Sequence, residues 1–152
     1  MIFPKTHFRL QAYLFILAVP VNWIWEVAEV GAYDFPETNL ITVVIHCLVP
    51  SLGDGLMTLI IYWTGWLLFR EFEWILNPGL KGYLFMIGVG LTLAVMVEWN
   101  ALYRTGAWFY SEKMITIPIL EVGLLPVLQM VVLPAFTFLL LQWIWRNRRQ
   151  SA

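Results

Sequence analysis

The sequence predicts an all-α integral membrane protein built from four transmembrane helices in a single domain, residues 1–152. Three observations predict it. Hydrophobic residues make up 61% of the chain. Charged residues make up only 12%, against about 25% in a soluble domain. The apolar residues gather into four long runs, too many for the polar remainder to cover as a soluble core.

Span one covers about residues 10–30 and follows Lys5 and Arg9. No small-residue cleavage site follows it, so it reads as a retained helix and not as a signal peptide. Span two covers about 42–69, span three about 83–103 and span four about 118–145. Each meets the ~20 residues that a helix needs to cross about 30 Å of hydrocarbon. Asn77-Pro78-Gly79 separates spans two and three as a turn. Pro20, Pro50, Pro126 and Pro134 fall inside spans and are expected to kink them.

Basic residues set the direction. Lys5, Arg9, Arg70, Lys81, Arg146, Arg148 and Arg149 lie at one end of the spans, and only Arg104 and Lys113 at the other. That bias expects a cell (inner) membrane protein with both termini in the cytoplasm. Trp23, Trp25, Trp66, Trp74, Trp99, Trp108, Trp143 and Trp145 fall mostly near span ends, as an aromatic belt does. Cys47 is the lone cysteine, so neither a disulfide framework nor a CxxC site exists. The net charge of −1 and the absence of a basic stripe argue against nucleic acid.

An internal echo runs through the chain. GAYDFPE (31–37) aligns with GAWFYSE (106–112) at an offset of 75. The same offset sets His46 against Glu121 and Asp54 against Gln129. Two parallel helical hairpins would give this pattern. The alignment needs a gap upstream of Gly31.

The polar residues inside the spans are the functional signal. Asn22, Glu26 and Glu29 share a face of span one, at spacings of four and three. His46 and Asp54 are eight apart on span two, with Pro50 between them and Gly53 and Gly55 beside Asp54. Glu98, Asn100 and Arg104 lie near the end of span three, and Glu121 and Gln129 on span four. With both termini cytoplasmic, all are expected in the outer half of the membrane or at its outer surface. An ionisable group inside a span costs at least ~2.5–3.5 kcal/mol, so these groups are expected to meet in one pocket.

Glu26, His46, Asp54, Glu98 and Glu121 are the acid–base candidates. Asn22, Glu29, Asn100, Arg104 and Gln129 are the candidates for binding substrate. A carboxyl in a dry site holds its proton tightly and suits general acid catalysis on a lipid or isoprenoid. No cofactor is required by that chemistry. A divalent metal held by Glu and His from several helices is the alternative, although the paired Glu-x-x-His of di-iron bundles is absent. HExxH, G-x-S-x-G and P-loop motifs are absent as well.

Each residue also has a plainer reading. Glu29 and Arg104 suit a headgroup layer. Glu121 after Pro118 suits a helix N-terminus. His46 suits a satisfied structural histidine, and Gly88 and Gly90 suit tight helix contact. The competing function is a non-enzymatic one: a transporter, a small-molecule binder, or a subunit whose polar face meets a second copy or another membrane protein. Membrane lipids and a lipophilic small molecule are the partners that the first reading expects.

The run GAWFYSEKMITIPILEVGLLP (106–126) resembles the small membrane lycopene cyclase domains, with an aromatic loop, then Pro118 and Glu121 at a helix start. Ile119-Leu120-Glu121 stands where that family tends to carry adjacent acidic residues. The resemblance implies metal-free acid catalysis on a polyene.

Overall fold

A computed structural model describes residues 5–36 and 39–150. The five α-helices are α1 (Lys5–Glu29), α2 (Leu40–His46), α3 (Leu48–Phe69), α4 (Gly79–Trp99) and α5 (Leu124–Gln150). They form four helical stretches long and apolar enough to cross a membrane, and the chain is an all-α, four-span membrane protein. Neighbours pack in the ring α1–α3–α4–α5 and back to α1, with α3 and α4 the loosest pair. The start of α1 and the end of α5 therefore lie at one end, here called the basic end, and the two longer loops at the other.

The prolines act by position. Pro50 and Pro126 sit in the first turns of α3 and α5, where no helical N–H bond is lost. Pro50 nonetheless coincides with the break at Cys47 that separates α2 from α3. Pro20 and Pro134 are interior. The carbonyl that Pro134 cannot bond belongs to Met130, and it points at Gly90 of α4. A Cβ on Gly90 would come within 2.2 Å of that oxygen, so glycine is what lets α4 and α5 close together. Gly55 is likewise set against Phe15 and Val19 of α1, whereas Gly53 and Gly88 face open space.

Two helix ends depart from the expected spans. Span three continues past Trp99 as a π-helix, Asn100–Thr105, while span one ends in a tighter 3-10 turn, Val30–Ala32. This unequal winding lies where the two halves need a gap to align. Span four begins at Leu124 and not at 118, because β1 (Thr116–Ile117) pairs with β2 (Val122–Gly123) in a short antiparallel hairpin. Pro118 and Glu121 belong to the turn of that hairpin. Glu121 adopts a left-handed conformation, φ 55°, and is exposed.

At the basic end the α3–α4 connection folds back into the bundle. Its 3-10 turn, Trp74–Leu76, is buried throughout. Trp74 is a core residue and not a belt residue: it is 3% exposed, its Nε1 donates to the Tyr62 carbonyl at 3.0 Å, and Gly65 makes room for its ring. Gln142 of α5 donates to the Ile75 carbonyl at 2.8 Å.

Candidate functional site

A cavity of about 390 Å³ occupies the other end of the bundle, within the size range of ligand pockets. Its foot is a polar cluster contributed by three helices. Gln129 of α5 aims its amide nitrogen at Asp54 Oδ2 (2.8 Å), Glu26 Oε1 (3.0 Å) and Asn22 Oδ1 (3.1 Å). Asp54, Asn22 and Gln129 are buried. An amide nitrogen carries two hydrogens, so three acceptors compete for two donors. The Asp54 and Glu26 carboxyls converge on one amide nitrogen. The foot is thus rich in acceptors and short of donors.

Glu98 stands on another wall. It accepts from Trp108 Nε1 at 3.4 Å and from the Tyr110 hydroxyl. Tyr110 in turn accepts the Gly123 backbone N–H at 2.7 Å, which fixes the direction of the relay. Burial, and next the hydrogen bond to Glu98, raises the Tyr110 phenol above its ordinary range. Tyr33 is raised by burial first, with the Glu98, Glu29 and Glu26 carboxylates acting the same way. Both phenols therefore stay neutral through the physiological range. The structure does not assign Tyr33, Tyr110 or Trp108 by any spacing rule: they lie in loops, and only the fold turns them toward the site.

Two aromatic loops roof the cavity by pairing with each other. Asp34 N–H donates to the Phe109 carbonyl at 2.9 Å, and Ser111 N–H to the Ala32 carbonyl at 3.0 Å, around a bridge between Tyr33 and Tyr110. The segments that the internal echo aligns are thus in direct contact, as are Asp54 and Gln129, which it also aligns. Glu37, at the end of the first segment, lies outside the described residues.

Of the acid–base candidates, Glu26, His46, Asp54 and Glu98 line the cavity. His46 sits exposed at the rim, with Nδ1 on the Thr42 carbonyl at 3.1 Å and its ring edge-on to Phe35. Glu121 does not join them, because the hairpin carries it outward. Of the binding candidates, Gln129 lines the cavity and Asn22 supports it from beneath. Glu29 is buried and is held by Trp25 Nε1 at 2.6 Å. Asn100 and Arg104 are exposed on the π-helix, away from the cavity.

No lysine or arginine lines the cavity. Among the described residues, no group of three or more His, Cys, Asp or Glu side chains is disposed to hold a metal ion. Comparison with family models, with curated proteins and with solved structures gives no match.

Proposed function

We propose that this protein is an intramembrane enzyme that moves a proton on a lipid or isoprenoid substrate, working in the outer half of a cell membrane with both termini cytoplasmic. The observation that carries the reading is the carboxyl pair, Asp54 and Glu26, sharing Gln129 at the foot of a mostly apolar cavity. One carboxyl adds its proton to a substrate double bond. The other, as carboxylate, removes a proton from the adjacent allylic carbon. The double bond shifts, and the pair ends with the one proton it began with, so neither oxidant nor metal enters the balance. Asn22 and Gln129 position the pair, and Glu98 with Tyr110 forms the opposite polar wall. The resemblance of residues 106–126 to lycopene cyclase domains supports a polyene as substrate, but the acid role it would give Glu121 falls to the Asp54–Glu26 pair instead.

The test compares wild type with Asp54→Asn. Asparagine keeps the shape and hydrogen bonding of a protonated carboxyl but transfers no proton. Both proteins are purified from membranes, extracted with organic solvent, and the extracts compared by mass spectrometry. An enzyme leaves different molecules in the two cavities, with the substrate accumulating in Asp54→Asn. The same molecule in both extracts removes the catalytic reading and leaves a binding protein.

A further inference from the structure

The roof and the foot of the cavity are built from paired loops and from hydrogen-bonded side chains, but one side wall is left thin. The lining residues of α3 at that wall are Val49, which is 72% exposed, and Pro50; across the seam stands Val97 of α4, 37% exposed. These two helices are the loosest neighbours in the ring, and Val49 and Val97 fall inside stretches long and apolar enough to cross a membrane. Val49, Gly53 and Met57 follow one another at intervals of one helical turn. Val49 and Met57 line the cavity, and beside Gly53 there is open space where a Cβ would go.

We propose that the α3–α4 seam is a lateral portal, through which a bilayer-dissolved amphiphile with a hydrogen-bond-donating, amine-type head enters tail-outward and sets that head on the Asp54–Glu26 foot. The head chemistry follows from the inventory of the cavity. Asp54, Glu26 and Glu98 bring acceptors and acidic groups, while the two hydrogens of Gln129 are already shared among three acceptors. A donor head completes that cluster. A carboxylate or phosphate head meets no lysine and no arginine on the lining. Tyr33, Phe35 and Trp108 add aromatic faces, which favour a cation over an anion. The apolar lips accept a chain. This inference rests on the cavity being the ligand site named above, but not on any turnover there: an amphiphile seated by its head on the foot is a bound ligand and not the substrate whose double bond the pair would protonate.

The experiment uses the full chain in nanodiscs of uncharged phosphatidylcholine and three probes of one chain length: dodecylamine, dodecanol and dodecanoate. Ligand that binds only the folded protein raises its melting temperature, and titration of that rise gives an apparent affinity. Dodecylamine is expected to bind about tenfold or more tightly than dodecanoate, with dodecanol between them. Gly53→Trp and Val49→Trp place a ring in the portal at positions with room for it. Each is expected to melt like wild type without probe and to lose most of the dodecylamine shift. A dodecanoate shift equal to that of dodecylamine overturns the head assignment. A full dodecylamine shift in either tryptophan variant overturns the portal. Because the readout is binding, Asp54→Asn turning out catalytically irrelevant leaves both outcomes readable.

Discussion

The two ends of the bundle face the same difficulty, polar side chains inside an apolar protein, and meet it in opposite ways. At the basic end the polar groups around His7 are consumed, and Trp145 Nε1 alone is buried among the described residues without a hydrogen-bond partner. Trp63 Nε1 donates to Gln11 Oε1 at 3.2 Å and Gln11 Nε2 to His7 Nε2 at 2.6 Å. His7 Nδ1 then donates to Tyr62, because the Tyr62 hydroxyl spends its own hydrogen on the Phe72 carbonyl at 2.9 Å. The chain of bonds runs in one direction and fixes the His7 tautomer. Phe72 and Trp66 pack around it, and the 3-10 turn fills the remaining space. At the loop end Asp54, Glu26 and Gln129 are equally well placed, but a cavity is left above them and donors run short. Polar clustering alone does not make a site. A cluster that is complete holds helices together, and one that is incomplete beside empty space is fit to receive something.

That contrast predicts stability effects at one end and functional effects at the other. The largest is Trp74→Ala. It empties the filled end and removes the Tyr62 contact, so it should cost ~3–5 kcal/mol, read as a lowered melting temperature in detergent. An unchanged melt would mean that the turn does not plug the bundle. Tyr62→Phe comes next. It deletes the hydroxyl that joins His7 Nδ1 to the Phe72 carbonyl, at a cost of about 1–3 kcal/mol. Asp54→Asn, in the same assay, should stay close to wild type while losing turnover. Equal losses in the two variants would erase the distinction between the ends.

A smaller effect concerns pH. The Tyr33 phenol lies above its ordinary range in the folded protein. Its contribution to stability is therefore fully present below the unfolded value of about 10 and is lost as pH rises beyond it. Melting curves from neutral pH upward should fall above ~10 in wild type and fall less in Tyr33→Phe. The smallest effect is expected outside both ends. Glu121→Gly relieves a left-handed residue on the exposed hairpin and should stabilise by roughly 0.4–1 kcal/mol without altering the cavity. Loss of ligand from that variant would bring Glu121 back to the site.

Composition and hydropathy were enough to read four spans, because a helix crossing lipid satisfies its backbone within itself and announces its length locally. Helical spacing was enough to put Asn22 with Glu26 on one face and to mark Asp54 as a carboxyl needing company. Which neighbours it would find was not local information. Asp54 and Glu26 meet over Gln129 because Gly55 and Gly90 let α3 and α5 close on their partners at one rotation. Eight residues from Gln129, Glu121 is turned outward by a two-residue strand pairing that apolar periodicity does not reveal. Asn100 and Arg104 are four residues apart, and the π-winding of Asn100–Thr105 likewise breaks the face they would share on an α-helix. His7 gives no sequence signal at all, since its partner Tyr62 is 55 residues away. Helix existence depends on the residues within a turn or two, whereas the rotation and termination of each helix depend on contacts with the others, and the cavity is made of those contacts.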